Sequence, residues 1–120
     1  IRGLLAENIT PYLLIEGVCD QRLPIMINEV PAGKCVFHLE NSDIFKAKEL
    51  ARDKVCLRGN VPVSILCTGT PDDVRAYCKK LIDIVGVGGG FIMDTGVTLT
   101  DAKPENVRAM FEYTREHGVY

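Results

Sequence analysis

Polar side chains stand at the ends of four apolar runs, and their types suit acid–base chemistry or the binding of an anion. These residues are Glu16, His38, Glu40, Arg58, Asn60 and Asp94. A histidine can act as an acid, a base or a metal ligand near neutral pH. An arginine suits a carboxylate or a phosphate, because its planar fork of donors matches both groups. The set therefore predicts a site for a small molecule that carries an anionic group.

Structural roles for the same residues remain open at this point. His38 would be hydrogen-bonded and non-catalytic if it lay on the helix-facing side of its strand. A buried Glu16 is costly unless it is paired, and Arg58 is a candidate partner for it. Arg58 would equally balance Glu40.

Two further positions have alternatives of the same kind. Asn60 follows Gly59, where it either contacts a substrate or only stabilises a turn. Asp94 is either a ligand or a cap for the loop that follows. The glycine-rich run at residues 86–90 does not fit a phosphate loop, because it leads from a helix into a strand instead of the reverse.

The elements that must position these residues alternate between strand and helix. The predicted strands lie near residues 11–16, 34–39, 55–59 and 90–94. Their apolar residues are mostly continuous, which is typical of the strands of a parallel sheet. Each run is followed by a helix-like segment or loop long enough for a right-handed crossover. The pattern predicts an α/β fold of four successive β/α units.

Capping residues predict where several helices begin. A hydroxyl followed by proline predicts a helix over residues 70–86, and a second proline predicts one over residues 104–118. Between the second and third strands, Ser42 or Asn41 is expected to cap a helix. Asp43 is then expected to be an acid of its first turn.

Composition excludes several classes of protein. The 120 residues carry a net charge of -2, which argues against non-specific binding of nucleic acid. No apolar run approaches the length of a membrane span, and no secretory signal is visible. The five cysteines form no C-x-x-C pair and are expected to be free thiols in the cytoplasm.

The first residues predict that the chain is part of a longer polypeptide. Residues 2–8 look like the last turns of a helix, without a capping residue or an initiator methionine before them. We therefore expect a fragment.

Motifs over the last two thirds of the chain resemble the C-terminal region of the uroporphyrinogen decarboxylase superfamily. They are FKAKELARDK, then VCLRGNVP at residues 55–62, ILCTGTPDDVRAYCKKLID, GGGFIMDTG at residues 88–96 and AKPENVRAMFEYTREHGVY at residues 102–120. The resemblance implies a (β/α)8 TIM-type barrel, with residues 1–120 forming a single segment of about four β/α units. In such barrels the site lies at the C-terminal ends of the strands.

The resemblance also implies an enzyme of porphyrin or corrinoid metabolism. The superfamily contains lyases that decarboxylate porphyrinogens and methyltransferases that use zinc and a corrinoid, so a corrinoid or zinc is implied by the resemblance alone. Because polar residues at the C-terminal ends of barrel strands point at the site, the expected catalytic residues are Glu16, His38, Glu40, Arg58 and Asp94, and the expected substrate-binding residues are Gly59 and Asn60.

The chain departs from the family at its metal and acid–base positions. Where the methyltransferases have His-x-Cys, this sequence has Leu14 and Glu16. Where the last strand of the family leads to a zinc cysteine or a histidine, this sequence has Val97. No residue is therefore assigned to a metal.

Two alternatives accompany the enzyme hypothesis. A half barrel could be a non-catalytic module that folds by self-association, so the expected partner is either the missing N-terminal half or a second copy. A small complete α/β binding domain is the third interpretation.

Overall fold

One parallel sheet of four strands organises the computed structural model, which describes residues 1–119. The strands are β1 (Tyr12–Ile15), β2 (Val36–Leu39), β3 (Cys56–Val61) and β4 (Phe91–Thr95), and they lie side by side in chain order. All three pairings are parallel. The predicted α/β fold with successive β/α units is confirmed. Tyr120, the last residue of the final family motif, lies outside the described residues.

Helices connect the strands. They are α1 (Arg2–Ala6), α2 (Leu23–Asn28), α3 (Ile44–Ala51), α4 (Val63–Thr68), α5 (Pro71–Lys80), a π-helical turn (Leu81–Val85) and α6 (Pro104–His117). Right-handed crossovers between neighbouring parallel strands place the connecting helices on the same side of the sheet. The sheet therefore has one helix-covered face and one other face, which we call the inner face.

The core lies between the sheet and the helices. Phe37, Leu39 and Leu57 point to the helix-covered side and are fully buried. Side chains alternate along a strand, so residues between these positions point the other way. On the inner face Tyr12 and Leu14 keep about half of their surface in solvent (48% and 50%).

The structure corrects the predicted start of α3. Asp43 is the N-cap, because its backbone is extended and its side chain accepts hydrogen bonds from the amides of Phe45 and Lys46. Ser42 does not cap this helix, since its hydroxyl accepts a hydrogen bond from the amide of Cys19. The predicted Asn41 cap is likewise wrong.

The predicted start at Thr70 is confirmed. Its side chain accepts a hydrogen bond from the Asp73 amide, and the Asp73 carboxylate accepts one from the Thr70 amide, which is a capping box. The Thr70 amide and the Thr70 hydroxyl both donate to the Asp73 carboxylate, and these two hydrogen bonds lower the pKa of Asp73. None of the helices within residues 1–119 has the length and apolarity that crossing a bilayer requires.

The strand ends differ from expectation at β3 and β4. β3 continues past Gly59 to Val61, because Asn60 and Val61 pair with Asp94 and Thr95 of β4. The Gly59–Asn60 peptide is cis.

Candidate active site on the inner face

Each of the four strands contributes one polar residue to a contiguous group on the inner face. We call Tyr12, His38, Arg58 and Asp94 the inner-face cluster. Arg58 forms an ion pair with Asp94 through Nε and Nη2, both directed at Oδ2. The other carboxylate oxygen of Asp94 accepts a hydrogen bond from the Thr95 amide at 2.7 Å. The ion pair and this hydrogen bond fix the guanidinium against β4.

His38 belongs to the inner face and is held at both ring nitrogens. Its Nε2 lies 2.7 Å from the Thr95 carbonyl oxygen, and its Nδ1 is hydrogen-bonded to the Tyr12 hydroxyl. The imidazole is 7% exposed. Of the two alternatives left open by the sequence, the structure therefore shows the inner-face position.

Tyr12 connects the histidine to the arginine. The Cζ atom of Arg58 lies 5.1 Å from the centroid of the Tyr12 ring, which is a cation–π distance. The sequence did not indicate Tyr12, because it stands at the start of an apolar run instead of its end. Side chains alternate between the two faces along β1, and this alternation would have placed Tyr12 on the same face as the residue two positions later.

The two glutamates at the strand ends have different surroundings. The carboxylate of Glu40 accepts a hydrogen bond from the Gly17 amide, which ties the loop after β2 to the loop after β1. Glu16 is exposed, and among residues 1–119 its carboxylate has no hydrogen-bond or ion-pair partner. The pairing of Arg58 with Glu16 or Glu40 is therefore not what the structure shows, since Asp94 takes that place.

Asn60 lies apart from the inner-face cluster. Its Nδ2 donates to the Ser42 carbonyl at 2.8 Å, and its Oδ1 accepts from the Tyr77 hydroxyl at 3.5 Å. Tyr77 belongs to α5, so the asparagine points to the helix-covered side. Burial raises the pKa of the Tyr77 hydroxyl, which keeps it a donor. The structure thus brings His38, Arg58 and Asp94 together but not Asn60.

The residues present do not fit a thiolate zinc site. Leu14 and Val97 offer no metal-binding atom, and both nitrogens of His38 are engaged. Within residues 1–119 no three or more histidine, cysteine, aspartate or glutamate side chains are grouped to hold a metal ion. Burial raises the pKa of Cys56 on β3, which disfavours the thiolate that zinc would need.

One large hollow lies away from this cluster. It has a volume of about 640 Å³ beside β4 on the helix-covered side, with Ile82, Val87, Phe91 and Met93 in its lining. A hollow of about 310 Å³ near the ends of β2 and β3 is lined in part by Glu40 and Asn60. Neither contains Arg58 or His38 in its lining, because the inner face is an open surface.

Comparisons with known proteins agree with this architecture. The family model "Uroporphyrinogen decarboxylase (URO-D)" matches residues 8–117. The uroporphyrinogen decarboxylase of Chlorobium phaeobacteroides is 33% identical over 84 residues, which cover 66% of this chain and 23% of that protein. That of Pseudoalteromonas translucida is 32% identical over 80 residues, 62% of this chain and 22% of that protein. The chain thus spans less than a quarter of the length of these relatives.

A solved structure has the same fold. A methyltransferase from Methanosarcina mazei superposes with a TM-score of 0.73 at 22% identity, over 93% of this chain and 32% of the other. The expected barrel-type α/β fold is confirmed, with this chain supplying about four β/α units.

Proposed function

Because the chain belongs to the uroporphyrinogen decarboxylase family, we propose that it is part of a decarboxylase and that its inner face binds a carboxylate-bearing small molecule. The relatives in Chlorobium and Pseudoalteromonas are decarboxylases by name, and the substrate of a decarboxylase carries a carboxylate by definition. The methyltransferase is similar in fold, and its chemistry is the less favoured alternative within the superfamily.

Arg58 is the observation that supports this proposal. Asp94 engages Nε and Nη2 of the guanidinium, whereas Nη1 has no hydrogen-bond partner among residues 1–119. The side chain is partly exposed on the inner face. An arginine held in one orientation with a free donor edge is suited to bind a carboxylate, because little conformational entropy is lost on binding.

The other predicted residues have supporting roles in this proposal. Asp94 orients the guanidinium. Glu40 orders the loop after β1 by accepting from Gly17. Glu16, an unpaired carboxylate near the strand ends, is a candidate acid–base group. Asn60 joins the end of β3 to the segment before α3 through its hydrogen bond to the Ser42 carbonyl. Gly59 and Asn60 keep their proposed role in binding the substrate.

Cysteine chemistry supports a cytoplasmic location for the enzyme. All five cysteines are free thiols, and such thiols persist in a reducing compartment.

Binding of uroporphyrin tests the assignment of Arg58. We expect Arg58→Ala to weaken binding by about 10-fold or more, because a hydrogen bond to a charged group contributes about 1.5–3 kcal/mol. Arg58→Lys is expected to recover only part of the loss, since lysine lacks the planar fork. The measurement is a fluorescence titration that follows the emission of the porphyrin.

The matched control is Arg115→Ala, which removes an exposed arginine from α6. It is expected to bind as the unmodified chain does. Equal affinity of the Arg58→Ala and Arg115→Ala variants would exclude Arg58 from the site. Failure of the unmodified protein both to bind uroporphyrin and to decarboxylate uroporphyrinogen would exclude porphyrinogens as its substrates.

Self-association without catalysis is the second candidate function, and the open sheet favours it. β1 and β4 each have a strand neighbour on one side only. A second copy related by a two-fold axis could place its β1 beside β4, and its β4 beside β1, which would close eight strands into a barrel.

A further inference from the structure

Hydrogen bonding fixes which nitrogen of His38 carries the proton. The Thr95 carbonyl oxygen can only accept, so Nε2, at 2.7 Å from it, must be the donor. In the neutral imidazole the other nitrogen is then an acceptor. The Tyr12 hydroxyl therefore donates its hydrogen to Nδ1.

Tyr12 is much more accessible from the inner face than His38 is. His38 is 7% exposed and has both nitrogens engaged, whereas Tyr12 is 48% exposed. A proton that passes between His38 and a molecule on the inner face must therefore go through the Tyr12 oxygen. The guanidinium of Arg58 over the Tyr12 ring stabilises negative charge that develops on this oxygen.

We infer that Tyr12 gives a proton to the substrate carbon and that His38 replaces that proton. The inference rests on the proposed decarboxylation. In that reaction the bond between carbon and carboxylate breaks, CO₂ leaves, and the electron pair stays on the carbon. The carbon then takes the hydrogen of the Tyr12 hydroxyl.

His38 alternates between a protonated and a neutral state, and these two states account for every proton in the reaction. A solvent proton first reaches the Tyr12 oxygen, and the hydrogen that this oxygen already carries moves to Nδ1. The hydrogen bond is thereby reversed, so that Nδ1–H donates to the Tyr12 oxygen. As Tyr12 transfers its hydrogen to carbon, it takes the hydrogen from Nδ1. The end state is a neutral tyrosine that again donates to a neutral histidine, so the pair is ready for another cycle.

The inference can be tested by measuring the kinetics with which the protein that carries this chain decarboxylates uroporphyrinogen. We expect Tyr12→Phe and His38→Gln to lower kcat by about 100-fold or more, the usual size of general acid catalysis, with KM little changed. The control is Tyr113→Phe, because Tyr113 and His117 form another tyrosine–histidine contact, at 4.2 Å between ring centroids on α6. This control is expected to keep kcat.

Nitrogen NMR of the unmodified protein supplies a readout that does not depend on turnover. The chain has two histidines, so His38→Gln assigns both imidazoles. We expect the neutral His38 ring to show one tautomer with the hydrogen on Nε2. A His38 ring with the hydrogen on Nδ1 would overturn the inference.

The two proposals fail in different ways. Absence of turnover by the unmodified protein would overturn the proposed function and this inference together. Turnover that Tyr12→Phe leaves unchanged would overturn the inference alone. Thermal melting of each variant separates loss of chemistry from loss of the fold.

Discussion

Gly59 controls how closely β2 and β3 approach beneath the inner-face cluster. Its φ is +118°, a conformation that side chains disfavour, and a Cβ atom here would lie 2.7 Å from the Leu39 carbonyl oxygen. The same Cβ would lie 3.6 Å from Cδ2 of His38. The second distance is an ordinary van der Waals contact, so glycine is required here by the Leu39 carbonyl oxygen and not by the imidazole.

Replacement of Gly59 by alanine should separate this close approach from backbone strain. Gly33 also has a positive φ, +70°, but a Cβ atom added to it would meet nothing within 4 Å. We expect Gly33→Ala to cost about 1 kcal/mol of unfolding free energy, from strain alone, and Gly59→Ala about 3 kcal/mol or more, from strain and overlap. Urea denaturation measures both, and equal costs would contradict the overlap.

At this scale the sequence predicted part of the candidate site. His38, Arg58 and Asp94 were found because polar residues that end apolar runs gather at one edge of a parallel sheet. Tyr12 was missed because a tyrosine beside apolar residues is also typical of a core. Asn60 was grouped with Arg58 in the prediction. Its side chain instead points to the helix-covered side, where it contacts Ser42 and Tyr77.

Helices α4 and α6 are joined through one buried side chain. Asn106 of α6 is fully buried. Its Nδ2 lies 3.2, 3.0 and 3.0 Å from the carbonyl oxygens of Ile65, Leu66 and Gly69, at the end of α4. Each of these carbonyls also accepts from a second donor, namely the Gly69 amide, the Lys103 amide and Nζ of Lys103. The Asn106 amide therefore adds a buried set of hydrogen bonds that ties α6 to the end of α4.

Substitution of Asn106 should therefore destabilise the chain strongly. We expect Asn106→Ala to lower the unfolding free energy by about 2–3 kcal/mol, because the buried hydrogen bonds to the end of α4 are lost and a cavity is left in their place. Asn106→Asp should cost more at neutral pH, since a carboxylate would face carbonyl oxygens. Asn41→Asp, at an exposed asparagine, serves as the control in denaturant unfolding. A similar small cost for the two aspartate variants would refute this role.

Local signals explain which helices could be predicted. The helix at Thr70 has a capping hydroxyl, a proline and two acids in its first turn, and each of these signals is visible in the sequence. In contrast, α4 is six residues long and has no side-chain cap. It was not predicted, because contacts with α6 hold it and such contacts join residues about 40 positions apart.

The sheet of the whole molecule is open, and its four parallel strands lie in chain order as they do in a barrel. Its inner face exposes apolar side chains, among them Leu14 at 50% and Ile92 at 44%. Its edge strands, β1 and β4, each have a strand neighbour on one side only. Both features favour association with further strands, since exposed apolar surface and free strand edges are sites of pairing.

Self-association of the chain on its own follows from this surface. We expect sedimentation to show a concentration-dependent dimer, because a second copy offers the complementary edges and covers the apolar residues. Leu14→Glu and Ile92→Glu together should shift the chain to monomer, since each places a charge in the contact. Ile25→Glu is the control, because Ile25 is exposed on α2, away from the inner face.

The sedimentation result also distinguishes the two candidate partners of the inner face, which are a second copy of the chain and the strands of a longer polypeptide. Pairing of two copies through the inner face is supported if the dimer dissociates in the double variant, Leu14→Glu with Ile92→Glu, but persists in Ile25→Glu. A chain that stays monomeric at every concentration contradicts self-association, and strands of a longer polypeptide then become the partner that closes the barrel. Arg58 would face an enclosed cavity in either assembly, and exclusion of water from that cavity strengthens its attraction for a carboxylate.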